Sequence, residues 1–438
     1  MKPVRVGICG LGTVGGGTFN VLTRNASEIA RRAGRPIVIE QVAYRTPNPD
    51  CDITGVKSTR DIFEVAANPD IDVIVELIGG YDTAFELVMA AINNGKHVVT
   101  ANKALIAVHG NEIFQAAHDK GVIVAFEAAV AGGIPVIKSL REGLGANRIE
   151  WLAGIINGTG NYILTHMRDE GRAFEDVLAE AQALGYAEAD PTFDVEGIDA
   201  AHKLTILASI AYGVPLQFDK AYTEGISRVT ADDVEQADNL GYIIKHLGIS
   251  KRTEEGLELR VHPTLIPKQR LLANVHGVKN AVAIMGDAVG PTLYYGAGAG
   301  AEPTASAVVA DLLDVARDIN TAHRYRVPYL AFSGVGEDVD QPAILSMEDI
   351  TTAYYLRLLA VDRPGVLARV ATILAEEGIS IEALIQKEAT EGELVPIILM
   401  THRTREKHMN EAIRRIEAMA DIAGDITRIR VETLDEQE

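Results

Sequence analysis

A glycine-rich turn between a strand and a helix, near the start of the chain, constrains the fold more than any other feature. Residues 4–22 read VRVGICGLGTVGGGTFNVL, in which Gly10, Gly12 and Gly15 form the pattern G-x-G-x-x-G. Glycines at this spacing let the backbone come close to a pyrophosphate at the N-terminus of the helix. The sequence therefore predicts a dinucleotide-binding domain of the Rossmann type in this part of the chain.

Further strand-like segments follow the glycine turn, with helical spacers between most of them. A tight turn that binds no ligand also accommodates three glycines. The succession of strands and helices nevertheless favours a parallel sheet with a nucleotide at its edge. The predicted strands are residues 37–43, 71–79, 97–100 and 122–126.

The end of the second predicted strand bears on the choice of dinucleotide. An acid at this position binds the ribose hydroxyl of NAD, whereas here the strand ends Val42-Ala43-Tyr44-Arg45 and Glu40 lies inside it. An arginine at the tip of the strand can pair with the 2′-phosphate of NADP. The alternative is a solvated surface arginine, so Arg45 favours NADP without excluding NAD.

Charge and length limit the classes of function. The length of 438 residues suggests about three domains, and 61 acidic against 41 basic residues give a formal net charge of −20. Such an acidic chain is a poor match for nucleic acid or for an anionic membrane surface. The sequence has no apolar run long enough to span a bilayer and no signal-peptide pattern, which predicts a cytoplasmic enzyme.

The chain has two cysteines, Cys9 and Cys51, so neither a disulfide framework nor a cysteine-ligated zinc site organises the fold. Cys9 ends the first predicted strand, where a small buried apolar residue is the common role. Cys51 lies in a loop without a histidine nearby in sequence. A phosphorylating aldehyde dehydrogenase, which needs a cysteine nucleophile in its catalytic half, is therefore disfavoured.

Acidic residues are concentrated between residues 181 and 204. After Gly197, the segment IDAAHKLTILASIAY has apolar residues at helical spacing, so Asp199 and Lys203 are i, i+4 neighbours on one helix. A lysine held by a carboxylate can act as a general acid, although most such pairs are solvated surface pairs. The carboxylates that precede Lys203 favour a site for a small cationic substrate: Glu188, Asp190, Asp194, Glu196 and Asp199.

Two motifs in this region closely resemble the substrate-binding signature of homoserine dehydrogenase, an NAD(P)-dependent enzyme of the aspartate pathway. They are G-Y-x-E-x-D-P-x-x-D at 185–194 and G-x-D-x-x-x-K at 197–203, and GIINGTGNYIL at 154–164 accompanies them. The resemblance extends over essentially the whole chain. It implies interconversion of L-aspartate 4-semialdehyde and L-homoserine by hydride transfer, in the biosynthesis of threonine, methionine and isoleucine.

The same resemblance implies roles for individual residues. Lys203, held by Asp199, is the expected general acid, and Lys103 in the segment TANKALIA is a second cation near the nicotinamide and the reacting carbonyl. From the residues alone, Thr159 can offer its hydroxyl to a substrate carboxylate or cap the helix that follows, and the two roles are compatible. The substrate-binding residues expected are Thr159, Tyr186, Glu188, Asp194 and Asp199. The cofactor-binding residues expected are Gly10, Gly12, Thr13, Val14, Gly15, Arg45, Lys103, Gly185 and Gly300.

A monovalent cation site, normally occupied by sodium, is also implied by the resemblance. It falls in the run FEAAVAGGIP at 126–135, where mainly backbone oxygens bind the cation, and oxygen ligands suit a hard cation. Without the resemblance, Glu127 reads as an acid at the end of a strand. The corresponding residues are Glu127, Val130, Gly132 and Ile134.

The C-terminal segment resembles an ACT domain, a small regulatory module that pairs side by side and binds amino acids. The predicted order is β-α-β-β-α-β, with DRPGVLA at 362–368 in the first strand-to-helix turn. Threonine is the effector that the resemblance implies, and the expected assembly is a homodimer or a homotetramer. The alternative is a ferredoxin-like oligomerisation domain without a ligand.

The expected organisation is an α/β chain of three domains. The Rossmann domain covers 1–146 and is joined again by the helix after residue 300. An α+β catalytic and dimerisation domain covers 147–328, a linker 329–350, and the ferredoxin-like ACT domain 351–434. A non-catalytic sensor of nucleotide and amino acid, built from the same modules, is the alternative function, and the presence of Lys103, Asp199 and Lys203 argues against it.

Overall fold

The computed structural model of the chain describes residues 2–333, 341–386 and 394–434. The helices are α1 Thr13–Arg24, α2 Ala26–Ala33, α3 Ile62–Ala67, α4 Asp82–Asn93, α5 Lys103–Lys120, α6 Val136–Lys138, α7 Gly158–Glu170, α8 Phe174–Ala183, α9 Thr192–Val195, α10 Ile198–Tyr212, α11 Ala231–Asn239, α12 Ala301–Asp318, α13 Val366–Glu376 and α14 Glu406–Glu417. The strands are β1 Val4–Cys9, β2 Ile37–Ala43, β3 Lys57–Thr59, β4 Val73–Glu76, β5 His97–Thr100, β6 Val124–Ala125, β7 Ile149–Ile155, β8 Tyr222–Thr223, β9 Tyr242–Arg252, β10 Leu257–Pro267, β11 Lys279–Gly286, β12 Gly290–Ala297, β13 Thr351–Val361, β14 Ile381–Gln386, β15 Leu394–Thr401, β16 Thr404–Arg405 and β17 Ile422–Val431.

The described residues divide into two compact units. The first unit contains residues 2–158, 198–221, 278–333 and 341. The second unit contains residues 159–197, 222–277, 342–386 and 394–434. This division groups residues by compactness, and each unit contains part of the expected middle domain, 147–328. The domain limits given above therefore stay a prediction.

Six strands of the first unit form a parallel sheet in the order β3-β2-β1-β4-β5-β6. The central strands β1 and β4 are buried along nearly their whole length, as expected where helices cover both faces of a parallel sheet. The strand order reverses at β1, with β2 and β3 on one side of it and β4, β5 and β6 on the other. This puts the glycine turn, which follows β1, at the point where α/β sheets bind ligands. The Rossmann-type fold is thereby confirmed.

Helix α12 packs against the Rossmann sheet although it lies far from it in sequence. Ala305, Val308 and Leu312 belong to the same buried apolar cluster as the residues of β1 and α1. A Cβ atom at Gly17 of α1 would lie 2.5 Å from the carbonyl oxygen of Ala301, so glycine is required for this close approach. The first unit is therefore discontinuous in sequence.

Helix α10 lies in the interior of the first unit. Every residue from Asp199 to Tyr212 is buried, because the segment is apolar on nearly all sides of the helix. The polar residues Asp199 and Lys203 are therefore removed from water together with their apolar neighbours. The first unit also contains a three-stranded antiparallel sheet in the order β12-β11-β7.

The second unit is built on a mixed sheet in the order β9-β10-β17-β13-β15-β14. The strands β13, β14, β15 and β17 with helices α13 and α14 form the predicted β-α-β-β-α-β module, and its order β17-β13-β15-β14 is ferredoxin-like. Strand β17 also pairs in parallel with β10, through Thr264 opposite Arg430 and Leu265 opposite Val431. One sheet thus continues from β9 and β10 into the C-terminal module.

None of the helices in the described ranges combines the length and the apolar composition that crossing a membrane requires.

A buried arginine holds the junction of β10 with the C-terminal residues. Arg260 is 1% exposed. Its guanidinium binds the carboxylates of Glu258, at 2.8 Å, and Glu432, at 2.6 Å. Removal of the arginine would leave two buried carboxylates without a cation, which costs about 3–5 kcal/mol in comparable pairs.

We expect Arg260→Met to lower the thermal midpoint of unfolding by several degrees, measured by differential scanning calorimetry. The matched control is Arg31→Met, because the Arg31 side chain is 82% exposed and its pair with Glu28 spans 3.4 Å in solvent. An unchanged midpoint in Arg260→Met would contradict the structural role of this buried arginine.

Candidate active site

A buried carboxylate shared by two lysines lies at the centre of the candidate site. Asp199 is 4% exposed. Its Oδ2 atom lies 2.6 Å from Nζ of Lys203, and its Oδ1 atom lies 3.0 Å from Nζ of Lys103. Nδ2 of Asn157 donates a hydrogen bond of 2.9 Å to Oδ2 of Asp199, and Nζ of Lys203 donates one of 2.8 Å to the carbonyl oxygen of Ile156. Helices α5 and α10 and the end of β7 therefore converge on one carboxylate.

The two lysines differ in exposure. The Lys203 side chain is 11% exposed, whereas the Lys103 side chain is 42% exposed. The pair of Asp199 and Lys203 is therefore a buried pair, in contrast to the solvated surface pair that i, i+4 spacing most often produces. Lys203 has a fixed position, and Lys103 lies where a small molecule from solvent can reach it.

The N-terminus of α5 positions Lys103. Oδ1 of Asn102 accepts a hydrogen bond of 3.1 Å from the backbone N–H of Leu105, so Asn102 is the N-cap and Lys103 is the first helical residue. Nδ2 of Asn102 in turn donates to the carbonyl oxygen of Gly80 at 2.7 Å. Lys103 thus follows directly after β5, at the carboxyl end of the parallel sheet.

Electrostatics keep Asp199 ionised. Burial by itself raises the pKa of this carboxyl group, but the ammonium groups of Lys203 and Lys103 outweigh it and hold the pKa below its usual range. Burial also lowers the pKa of His202 to about 4, so this neighbouring imidazole is neutral near pH 7. The site therefore combines one carboxylate with two ammonium groups, an arrangement that favours negative charge developing on a bound molecule.

The glycine turn has the geometry that a pyrophosphate requires. Gly10 has φ of +99°, and a Cβ atom at Gly15 would lie 1.9 Å from the carbonyl oxygen of Gly10. A Cβ atom at Gly12 would meet nothing within 4 Å, so the space beside it is open. Thr13 and Val14 follow in the first turn of α1, which has no acidic residue. The residues fit a dinucleotide, with the diphosphate at the helix N-terminus.

A second arginine, which the sequence did not indicate, lies beside Arg45. Arg60 follows β3, and its guanidinium lies 4.6 Å from the centre of the Tyr44 ring and donates to the carbonyl oxygens of Tyr44 and Arg45. Both arginines are exposed beyond the end of β2. The pairing of β3 with β2 brings them together, and this pairing leaves no short motif in the sequence.

The segment before α12 packs against the expected cation loop. Gly300, which has φ of +119°, is the N-cap of α12. A Cβ atom at Gly132 would lie 2.5 Å from the carbonyl oxygen of Gly298, and the N–H of Gly133 donates to the carbonyl oxygen of Ala297 at 3.0 Å. The glycines of the two segments therefore permit close packing. The contact of Gly300 with a cofactor stays a prediction.

The carboxylate of Glu127, near the start of the expected cation loop, binds backbone N–H groups that follow the end of the loop. Its Oε1 and Oε2 atoms accept hydrogen bonds of 2.9 and 2.7 Å from the N–H groups of Ile137 and Lys138. The N–H of Glu127 donates to Oδ2 of Asp311 at 2.8 Å. Burial raises the pKa of Glu127 to about 7, and burial together with Glu127 raises that of Asp311 well above its ordinary value. Both carboxylate oxygens of Glu127 are thus engaged with backbone groups.

Backbone carbonyls are the atoms of this loop that suit a cation. Val130 and Gly132 are buried, and among the described residues their carbonyl oxygens accept no hydrogen bond. Ala131 between them has φ of +56°, a strained conformation for a residue with a side chain. Buried acceptors without a donor fit a hard monovalent cation. In the parts of the chain that the structure describes, no cluster of His, Cys, Asp and Glu side chains suits a metal ion.

The second unit contains the other residues expected to bind substrate. Oγ1 of Thr159 donates to the carbonyl oxygen of Tyr186 at 2.6 Å. Helix α7 begins at Gly158, so Thr159 lies inside the helix and the N-cap interpretation is wrong. Gly185 has φ of +74° and begins the turn that contains Glu188 and continues into α9 with Asp194. The assignments of Tyr186, Glu188, Asp194 and Gly185 stay predictions.

Comparison with known proteins agrees with these features. The family model "Homoserine dehydrogenase, NAD binding domain" matches residues 10–127, the model "Homoserine dehydrogenase" matches 135–313, and the ACT domain model matches 354–421. A homoserine dehydrogenase from Pseudomonas aeruginosa is 70% identical over 435 residues, covering 99% of this chain and all of the relative. The chain belongs to the homoserine dehydrogenase family.

Solved structures of homoserine dehydrogenases share all or a large part of the fold. A crystal structure of the protein from Thiobacillus denitrificans is 63% identical, covers 99% of each chain and has a TM-score of 0.94. A hyperthermophilic archaeal homoserine dehydrogenase in complex with NADPH is 25% identical, covers 72% of this chain and 97% of its own, and has a TM-score of 0.61. This chain is accordingly an oxidoreductase of amino-acid biosynthesis with a nucleotide cofactor, a small-molecule substrate and a C-terminal ACT domain.

Substitution by alanine should have different effects at Gly12 and at Gly15 of the nucleotide turn. We expect Gly12→Ala to leave the thermal midpoint of the protein without nucleotide unchanged, because no protein atom lies near the added methyl group. The methyl group would occupy the space of the pyrophosphate, so the dissociation constant for NADPH should rise about ten-fold or more. Fluorescence titration and differential scanning fluorimetry measure the two effects.

Gly15→Ala is the matched comparison, because its Cβ atom would overlap the carbonyl oxygen of Gly10. We expect this variant to lower the thermal midpoint without nucleotide. Equal midpoints for the two variants would contradict the distinct roles of the two glycines.

Proposed function

We propose that this chain interconverts L-homoserine and L-aspartate 4-semialdehyde by hydride transfer with NAD(P)H, and so serves the biosynthesis of threonine, methionine and isoleucine. The observation that carries the proposal is the buried carboxylate of Asp199 between Lys203 and Lys103, in a unit with a nucleotide-binding turn. A carbonyl group that accepts a hydride also needs a proton and a nearby positive charge. The two lysines meet these needs.

Lys203 is the general acid in this proposal. The nicotinamide, when bound, supplies the hydride to the carbonyl carbon. Lys203 transfers a proton from Nζ to the developing alkoxide oxygen, and solvent then restores the proton on the lysine. Asp199 and the carbonyl oxygen of Ile156 hold the ammonium group in place during the transfer. In the reverse direction, the neutral amine accepts the proton of the homoserine hydroxyl group.

Lys103 is the second cation near the same oxygen. Its exposure of 42% supports direct contact with the substrate. Asp199 binds it through the oxygen that Lys203 does not use, so the two ammonium groups are kept in register without sharing an acceptor atom. Removal of either lysine would leave Asp199 with one cation and the amide of Asn157.

The substrate is recognised through its ammonium and carboxylate groups. Glu188 binds the ammonium group, Asp199 orients the hydroxyl region, Asp194 braces the site, and Tyr186 lines it. Thr159 is the proposed partner of the carboxylate, but its O–H already donates to the carbonyl oxygen of Tyr186. Its hydroxyl group must therefore rotate before it can donate to the substrate.

The proposed cofactor is NADP(H), with NAD(H) as the weaker alternative. Gly10, Gly12, Gly15, Thr13 and Val14 hold the diphosphate. Arg45 follows β2 and Arg60 follows β3, and together they offer two guanidinium groups to the 2′-phosphate of NADP. The ribose hydroxyl of NAD has no charge that needs them. Gly185, Gly300 and Lys103 complete the proposed cofactor contacts.

A monovalent cation, sodium in the first place, belongs to the same proposal. The carbonyl oxygens of Glu127, Val130, Gly132 and Ile134 would bind it. The buried carbonyls of Val130 and Gly132 support this site most directly, because they lack another donor among the described residues. The cation would fix the loop that packs against the segment before α12.

Threonine feedback through the ACT domain, assembly as a homodimer or homotetramer and a cytoplasmic location complete the proposal. Feedback requires that threonine binds two states of the protein with different affinity. The ACT fold supports an amino-acid ligand as a class. The identity of that ligand is the part that the experiment below decides.

The decisive experiment is loss of absorbance at 340 nm with the full chain, L-aspartate 4-semialdehyde and NADPH. It is repeated with NADH, with potassium in place of sodium, and with added threonine. We expect oxidation that depends on the semialdehyde, is faster with NADPH and is inhibited by threonine. A folded protein that binds NADPH but oxidises none of it would favour the sensor function. Unchanged rates with threonine would remove the feedback proposal alone.

Substitution of Lys203 tests its role as the proton donor. We expect Lys203→Met to lower kcat by about 10²- to 10⁴-fold, the usual contribution of general acid catalysis, with little change in the dissociation constant for NADPH. Lys120→Met, at the exposed end of α5, is the control. Retention of most of kcat in Lys203→Met would show that another group donates the proton.

Arg60 offers a test of cofactor choice. Arg60→Ser removes a guanidinium group beside Arg45, and we expect KM for NADPH to rise about ten-fold, since hydrogen bonds to charged groups contribute about 1.5–3 kcal/mol. The KM for NADH should stay nearly constant, because NADH lacks the 2′-phosphate. Arg24→Ser, which removes an exposed arginine paired with Glu302, is the control. An equal change for both cofactors would argue against a phosphate contact.

A further inference from the structure

A short loop of the second unit holds the end of the substrate turn, which comprises residues 185–197. We call residues 224–227 the supporting loop. The N–H of Ile226 donates to the carbonyl oxygen of Val195 at 2.9 Å, and Oγ of Ser227 donates to Oε1 of Glu196 at 2.8 Å. A Cβ atom at Gly225 would lie 2.1 Å from Oε2 of Glu196, so the loop backbone lies directly against the turn.

Glu224 anchors the supporting loop. Its N–H donates to the carbonyl oxygen of Val261 at 2.8 Å, and its own carbonyl oxygen lies 2.9 Å from Nε2 of His246. Its Oε2 atom accepts hydrogen bonds of 2.8 Å from Oη of Tyr222 and from Nη1 of Arg430. The backbone contacts join the loop to β9 and β10, and the side chain joins it to the ACT domain.

Arg430 of β17 is fixed within the ACT domain. It is 0% exposed, and its guanidinium binds Glu406 of α14 through Nε at 2.9 Å and also through Nη2. Oη of Tyr354 donates to Oε2 of Glu406 at 2.9 Å, and Arg428 lies 3.0 Å from Oε1. The fork of the guanidinium group thus holds one carboxylate with two donors and presents the third to Glu224.

We propose that the ion pair of Arg430 and Glu224 positions the substrate turn, so that the ACT domain contributes to the affinity for the amino-acid substrate. Arg430 and Glu224 are positioning residues and act through Glu196 and Val195. The inference rests on the proposed function in one respect, namely that the turn binds the substrate. The path is continuous: Glu406, Arg430, Glu224, the supporting loop and the end of the turn.

Burial makes this path effective. Arg430 is removed from water, whereas the Glu224 side chain is 29% exposed. A displacement of β17 or α14 that weakens their bond is therefore not compensated by hydration of the guanidinium group. At Gly225 the backbone of the supporting loop lies against the turn, since a Cβ atom there would be 2.1 Å from Oε2 of Glu196 and 2.7 Å from the carbonyl oxygen of Val195. A shift in the ACT module therefore moves the loop and the turn together.

The test uses Glu224→Gln in the full chain, because this variant keeps the shape of the side chain and leaves Arg430 bound to Glu406. We expect KM for L-homoserine to rise roughly two- to thirty-fold, the range that mutations along coupling networks produce. The kcat and the KM for NADP should stay constant. Hydrogen exchange should become faster in the amides of residues 194–197 and 225–227.

Arg357→Lys is the matched control. Arg357 of β13 also binds a buried carboxylate of the second unit, Asp233, at 2.6 Å, but it does not contact the supporting loop. We expect this variant to leave KM for L-homoserine and the exchange of residues 194–197 unchanged. Arg430→Lys, which keeps the charge and loses the fork, should reproduce the effect of Glu224→Gln, and the double variant should add little to either.

The outcomes separate this inference from the proposed function. Unchanged exchange in residues 194–197 of Glu224→Gln would overturn the positioning role, whatever the activity. Faster exchange with an unchanged KM would overturn the link to substrate affinity. A wild-type protein without dehydrogenase activity, in which Glu224→Gln still accelerates exchange, would reject the proposed function and retain the mechanical coupling.

Discussion

The carboxylate of Asp199, buried between two ammonium groups, is the interaction on which the rest of the site depends. A buried carboxylate alone would be protonated near neutral pH, and a buried lysine alone would lose its charge. Together they remain ionised, and the second lysine leaves the cluster with excess positive charge. Lys103 keeps partial contact with solvent, and its hydration lowers the cost of that excess charge. The site is thus prepared for an oxygen atom that gains negative charge.

Helix α12 and the segment before it pack closely against two elements: α1, which follows the cofactor turn, and the expected cation loop. Helix α12 touches α1 at Gly17, and the segment before it touches the loop at Gly132. Asp311 and Asp314 of the same helix bind the N–H of Glu127 and the ammonium group of Lys138, at the two ends of the loop. A side chain at either glycine would force these elements apart. The glycines therefore serve packing here, in addition to the approach of a phosphate.

Much of the fold followed from local patterns, and the exceptions have identifiable causes. The strand predicted at 71–79 ends at Glu76, because its carboxylate accepts the N–H groups of Ile78 and Gly79 and turns the chain. Helical spacing predicted that Asp199 and Lys203 share one face, and their side chains lie 2.6 Å apart. Spacing alone favoured a solvated surface pair, whereas the packing of α10 buries both residues. Asn157 was missed, since an isolated asparagine after a strand gives no sign of the carboxylate that it will bind.

The sequence by itself determined the glycine turn, the helix that carries Asp199 and Lys203, and the order of elements in the ACT module. Each of these depends on residues within a few positions of one another, where spacing and backbone preference act directly. Only the tertiary structure decided that Lys103 meets Asp199, that Arg60 lies beside Arg45, and that Arg430 reaches Glu224. Those pairs join distant segments, and the packing of whole sheets and helices selects their partners and the burial that gives each charge its effect.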